Sequence, residues 1–287
     1  MPAFIADMNV DFASRLRDPR YYQIAVLSSL LTYGIAVLGF PIAWEGAATI
    51  LGFALATQWA ASQLVGLDRV DPLSAIITSL SLTLLLRTDA LAIAALAAIL
   101  AIGSKFLLRI NGKHIFNPAN FALITLSFAS THAWLSSGQW GNATLVAFAF
   151  ACLGFLVLTR ARRAGTTIAF LAGYGALLFG RAVWLGDPLA IPLHQLQSGA
   201  LLLFAFFMIS DPKTTPDHAA GRVLYGLLVA LIGFSIQFVF HEPHGPITAL
   251  ILTSPVVPLI DRLLSGRRYA WIPTLQSSRS DHKGVVT

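Results

Sequence analysis

Charge is scarce in this chain. Asp, Glu, Lys and Arg make up only 11% of its 287 residues, against roughly a quarter in soluble domains. A soluble globule of this length could not cover its surface with so few charges, and disorder needs the opposite composition. Cysteine is nearly absent. The single Cys152 excludes an internal disulfide and a cysteine-held zinc or iron–sulfur centre within the chain, and is most simply a small apolar residue. Nucleotide-binding and hydrolytic signatures are missing too: there is no Walker-type loop, GxSxG elbow or HExxH.

What the chain has is apolar surface. Hydrophobic residues reach 56% and the mean hydropathy is +0.73. Charge-free runs at residues 21–44, 46–67, 73–86, 90–104, 164–180, 188–210, 223–240 and 246–260 are read as membrane spans. The uncharged stretch 115–159 is too long for one helix and is broken by the turn-rich 136–142, so it supplies two more. The total expected is ten. Lys105 and Arg109 follow the fourth run, and their long stems are expected to reach an interface. With an inside N-terminus, 17 of the 19 Lys and Arg residues fall on inside segments, leaving Arg87 and Arg181 outside. This asymmetry places both termini in the cytoplasm. It also accounts for the net charge of +6 without nucleic acid as a partner; the partner implied is lipid. Residues 1–20 carry six charges and no early apolar core, so the first run reads as a retained span rather than a signal peptide.

Ten spans divide into five and five, and an odd number per half makes the halves face opposite ways. The expected fold is therefore an all-α integral membrane protein of two inverted five-helix repeats. Repeat one covers about 21–130 and repeat two about 142–264, within a membrane domain at 21–264. A cytoplasmic segment at 1–20 and a polar cytoplasmic tail at 265–287 flank it. Matching devices recur. The third span of each half is polar-seeded, at Asp71–Leu80 and His194–Leu201. The fifth opens on proline, at His114–Asn120 and His244–Thr248. Such segments point to a central site lined by helix ends, or are ordinary helix starts.

No acid lies in the middle of a span, so an autonomous ion or proton relay has little support. Asp211 and Asp261 directly follow apolar runs; each caps the following turn or binds a cation, and capping is the simpler reading. His132, His194, His241 and His244 all fall on the outer side, in or near loops, where a metal or haem would need them paired.

Two stretches carry a resemblance. Gly112-Lys113-His114-Ile115-Phe116-Asn117-Pro118-Ala119 resembles the N-x-x-N-P-A region of the NqrB/RnfD family. Ser198-Gly199-Ala200-Leu201, Ala205–Pro212 and Gly221–Gly226 resemble its second conserved segment, and Pro258-Leu259-Ile260-Asp261 its "PLID". The likeness runs from about residue 70 to 262. That family comprises membrane subunits of the sodium-pumping NADH:quinone oxidoreductase and of the Rnf complex, with a fold similar to that of urea channels. The resemblance implies a flavin-relaying subunit of an electron-transport system rather than a self-sufficient enzyme. It implies other redox subunits or an extracytoplasmic flavoprotein or cytochrome as partners, and membrane quinone.

By the same resemblance, riboflavin or FMN is held without a covalent bond by Thr78 and Ser79 of the third span and by His114, Asn117 and Asn120. Ser198 and Gly199 of the second motif are further candidates. Thr78 and Asn117 match the family; His114 replaces an Asn, and an imidazole cannot both donate and accept as an amide does. The family's covalent FMN is carried by a Thr in a long outer loop. Here that connection is short, Thr144 lacks the expected context, and Leu201 stands where the family has Thr. The expectation is a relative without covalent FMN, keeping one non-covalent flavin or none. The alternative is a small-solute channel or permease on the same scaffold, since fold does not fix function; a structural subunit is a third reading.

Overall fold

The computed structural model describes residues 18–67, 70–136, 153–154 and 164–269. Helices α1 (Pro19–Ala36), α2 (Trp44–Leu64), α3 (Pro72–Leu85), α4 (Leu91–Leu107) and α5 (Pro118–Ala129) form the first group. The second comprises α6 (Ala164–Leu185), α7 (Ala190–Leu196), α8 (Gly199–Leu203, continued as a π-helix over Phe204–Met208), α9 (Ala219–Phe238), α10 (Gly245–Thr253) and α11 (Val257–Leu263). Every apolar run that falls on described residues is helical. The outer break at 137–142, Thr144 and Cys152 lie outside the described residues.

Three helix starts share one device. Asp18, Asp71 and Asn117 each accept a hydrogen bond from a backbone N–H two or three residues on, and each is followed by Pro. The side chain satisfies an orphan donor, and the proline sits where no N–H is needed. Helix α1 ends earlier than the run at 21–44 suggests. Gly39 adopts φ +64°, and Pro41 follows, so the chain turns before α2 begins.

The all-helical expectation needs amendment. Two short antiparallel ribbons connect helix ends: β1 (Leu86–Thr88) pairs with β4 (Ala133–Leu135), and β2 (Arg109–Ile110) with β3 (Lys113–His114). The second ribbon turns on Asn111 (φ 52°) and Gly112 (φ 74°), the Asn-Gly pair that a tight hairpin with two left-handed residues favours. The run at 188–210 is likewise not one straight span. Helix α7 and the α8 segment meet at 48°, with Gln197 and Ser198 at the break.

Among the described residues three helices are long and apolar enough to cross a membrane on their own, α6, α9 and the continuous α10–α11 segment Gly245–Leu263; the bent α7–α8 pair makes a fourth. Helices α3, α4 and α5, of 14, 17 and 12 residues, are shorter than the ~20 residues a straight crossing requires. Their ends and the β2–β3 ribbon meet around one cavity, where a site can form. Helix α3 is buried along most of its length although it carries Thr78, Ser79, Ser81 and Thr83, because each hydroxyl donates to a carbonyl three or four residues back. Helices α6 and α9 approach closely: a Cβ on Gly226 would lie 2.6 Å from the Thr166 carbonyl oxygen, the small-residue contact by which membrane helices pack. Trp44, Trp59, Trp184 and Phe240 are largely exposed, as suits side chains facing lipid or its interface. The groups touch through α5 and α10.

Candidate functional site

A cavity of about 320 Å³ opens among α1, α2, α3, the C-terminal turn of α4, the β2–β3 hairpin, the start of α5 and the segment after α8. It brings together Thr78, His114 and Asn117. Ser79, Asn120, Ser198 and Gly199 do not line it. Ser79 turns its hydroxyl to the Ile76 carbonyl, on a different side of α3 from Thr78. Asn120 is fully buried, and neither amide atom has a partner among the described residues. Ser198 lines a separate cavity of about 260 Å³ with Tyr174, Gln237 and His244, where the Tyr174 hydroxyl donates to Gln237 Oε1 at 2.5 Å. The site candidates therefore split between two places in the fold.

Asn117 is committed to structure more than expected. Its Oδ1 accepts from the Asn120 N–H at 3.0 Å, and its Nδ2 donates to Asp211 Oδ2 at 3.3 Å and to the Met208 carbonyl at 3.5 Å. It joins the start of α5 to the end of the α8 segment and shapes the cavity wall, with little hydrogen-bonding capacity left over. Asp211 does cap its following turn, accepting from the Lys213 N–H at 2.9 Å, and takes the Asn117 bond as well. Burial lifts its carboxyl above the ordinary range, against the pull of Lys213, Lys105 and Asn117.

Thr78 donates to the Ser74 carbonyl at 2.9 Å, which leaves its oxygen able to accept. His114 is set by the hairpin, opposite Arg109. Its Nδ1 is buried with no partner among the described residues. Burial, then the charges of Arg109, Lys105 and Lys213, bring its pKa down to about 4, so the ring is neutral at physiological pH; one ring nitrogen is bonded to the Lys105 backbone, and Nδ1 is left to accept.

The residue that sequence reasoning misplaces is Lys105. It does not reach outward: it is 5% exposed and lines the cavity. Its Nζ donates to Gln58 Oε1 at 2.7 Å and to Ser74 Oγ at 2.9 Å. Arg20 also lines the cavity, but is paired with Asp18 at 2.6 Å and Asp71 at 2.8 Å. Arg109 lies over the Phe106 ring at 5.1 Å. The apolar part of the wall comes from Ile77, Phe106, Pro118, Phe206 and Phe207.

Beside this cavity Lys113 bridges Asp217 at 3.2 Å and Asp261 at 2.8 Å, and Asp261 Oδ1 accepts from the Asp217 N–H at 2.8 Å. Asp261 thus both caps a backbone donor and binds a cation. The bridge fastens the β2–β3 hairpin to the start of α9 and to α11. Among the described residues no three His, Cys, Asp or Glu gather as a metal site.

The NQR2, RnfD, RnfE family profile matches residues 132–270, which include the Ser198–Gly226 and Pro258–Asp261 motifs but not the 112–119 stretch. Several curated relatives are named as the D subunit of an ion-translocating oxidoreductase complex. That of Erwinia tasmaniensis is 37% identical over 117 residues, covering 40% of this chain and 33% of the relative. That of Psychromonas ingrahamii is 40% identical over 94 residues, covering 33% and 27%. That of Shewanella amazonensis is 31% identical over 175 residues, covering 57% and 49%. The chain thus spans between about a quarter and a half of the length of these relatives. Over residues 132–270 the chain is similar to the NQR2, RnfD, RnfE family, as its motifs led us to expect.

Proposed function

We propose that this chain is a multi-pass membrane subunit of an electron-transport assembly, and that its cavity holds a flavin, riboflavin or FMN, without a covalent bond. The observation that carries the reading is the cavity in which Thr78, His114 and Asn117 meet Phe206, Phe207 and Asp211. Relatives named as subunits of an ion-translocating oxidoreductase complex support the electron-transport role.

The donor set fits such a ring. His114 Nδ1 lacks a partner among the described residues, the Thr78 oxygen can still accept, and Lys105 presents an ammonium. Aromatic and aliphatic side chains supply flat apolar walls, and the volume is near the lower end for small-molecule pockets, ~300–1,000 Å³. A bound flavin supplies reversible electron uptake at its ring; the protein holds, orients and electrostatically tunes it. In this reading Thr78 and His114 hold the polar edge. Ile77, Pro118, Phe206 and Phe207 exclude water from the faces, and Asn117 keeps the two walls in register. Attachment of FMN is not part of the proposal: Leu201 is a buried apolar residue.

The architecture belongs to the proposal as well: ten spans in two inverted five-helix halves at about 21–130 and 142–264, both termini cytoplasmic, and a polar tail at 265–287. Helices at every described apolar run, and proline-opened fifth helices in both halves, support it. Redox subunits, an extracytoplasmic flavoprotein or cytochrome, and quinone are the partners proposed.

The test is the visible spectrum of protein purified in detergent from riboflavin-replete cells. A flavin band bleached by dithionite, and released into the supernatant by trichloroacetic acid, is expected. Colour retained in the precipitate overturns the non-covalent assignment. Colourless protein overturns the flavin, and solute flux through it in liposomes would assign the scaffold to transport.

A further inference from the structure

Several buried or half-buried cations here face carboxylates. Arg20 has Asp18 and Asp71, Lys113 has Asp217 and Asp261, and Arg181 has Asp187. Lys105 differs. Its two hydrogen-bond partners, Gln58 Oε1 and Ser74 Oγ, are neutral, and among the described residues no carboxylate lies within ion-pair distance of it. An ammonium has three N–H groups; two are used, and the third remains for whatever fills the cavity that Lys105 lines. Asp71 and Asp211 act on it only from beyond ion-pair distance, so much of the cost of burying the charge stays uncompensated. The cost is offset when an anion arrives.

The partners also fix where the charge sits. Gln58 comes from α2, Ser74 from the first turn of α3 and Lys105 from the last turns of α4. Three helices thus hold one ammonium against the cavity wall. A lysine stem carries substantial rotamer freedom in solution; here that freedom has been given up to place a positive charge beside Thr78, one turn of α3 beyond Ser74.

We infer that Lys105 is the counter-charge of this cavity. It meets the negative charge that the polar edge of the bound ring carries in the reduced state, and so favours reduced over oxidised flavin. The inference rests on the flavin reading above. Uptake of two electrons from a reduced flavoprotein partner, with one proton from solvent, leaves the ring one net negative charge; the lysine keeps its own proton and faces that charge. Lys105 is therefore a tuning residue whose mark is read on the potential.

The test uses the full chain in detergent, with potentials read from the flavin absorbance during an equilibrium redox titration. Lys105→Gln, whatever its affinity for oxidised flavin, is expected to lose at least tenfold of the preference for the reduced form. Such a loss is about 30 mV or more downward for a two-electron couple. Lys105→Arg, which keeps the charge, is expected to restore most of the shift. Gln58→Glu puts a carboxylate on the same ammonium without emptying the site, and is expected to move the potential in the same direction; it decides the matter if Lys105→Gln fails to fold. Yellow variants whose potential equals that of the wild type overturn the inference alone. Wild-type protein that takes up no flavin overturns the reading on which it stands, and the inference with it.

Discussion

Replacing Lys113 with Met removes the cation that Asp217 and Asp261 share. The side chains of Lys113, Asp217 and Asp261 are 14%, 8% and 19% exposed, so the substitution leaves two carboxylates close together and mostly out of water. Breaking a buried pair by deleting one partner costs roughly 3–5 kcal/mol. Partial wetting of Asp261 puts this case at the lower end, about 3 kcal/mol. For a chain of this size that is about 6 °C of melting temperature, at about 2 °C per kcal/mol. The assay is thermal unfolding in detergent, followed by intrinsic fluorescence or far-UV circular dichroism. The cause is isolated by adding Asp217→Asn and Asp261→Asn to Lys113→Met: with the orphaned charges gone, part of the loss should return. Because Lys113 neighbours His114 on the hairpin, flavin affinity should fall with stability in Lys113→Met. An unchanged melting temperature would refute the account, and so would a triple variant less stable than the single one.

Further expectations follow from the same geometry. The folded-state pKa of His114 is about 4, below the ordinary 6.5. The unfolded chain therefore binds a proton that the folded chain refuses between those values, and stability falls as pH drops from about 6.5 towards 4. His114→Asn should lack that component, which the difference between the two melting-temperature profiles against pH would reveal. Asn117→Ala should cost about 1–2 kcal/mol, a lost cap plus a lost link to Asp211, and should loosen flavin retention on gel filtration. Asn117→Asp, which sets a carboxylate against Asp211, should be worse on both counts. Gly226→Ala drives a methyl to within 2.6 Å of the Thr166 carbonyl oxygen, so α6 and α9 must separate. A loss of about 1–3 kcal/mol is expected from overpacking, measured by the same melts.

Much of the helical framework is legible because hydropathy reports which segments avoid water. The Asx-Pro pairs at Asp18, Asp71 and Asn117 mark helix starts for an equally local reason. What stays hidden depends on partners distant in the chain. Lys105 at the end of an apolar run looks the same whether it points to an interface or inward. Its inward course is decided by Gln58, 47 residues away. Asn117 stands out in the sequence, yet its amide is engaged by Asp211 and Met208, which no local pattern announces. Ser79 is separated from Thr78 by the helical turn itself, since adjacent positions face different ways, whereas Asn120 bonds Asn117 through its backbone N–H and buries its side chain away from the cavity. The Asn111-Gly112 pair is a hairpin signal that hydropathy alone overlooks. The bend at Gln197–Ser198 falls within the polar-seeded stretch His194–Leu201 that the sequence marks.

The bond between Asn117 and Asp211 joins residues 94 positions apart, and it has a consequence for biosynthesis. The cavity wall does not exist while only the amino-terminal helices have left the ribosome. It closes when the chain has been made past Lys213 and the later helices have docked. If the cavity holds the proposed flavin, its loading is a late event in the life of the nascent polypeptide, and a coloured product reports that both parts have found each other.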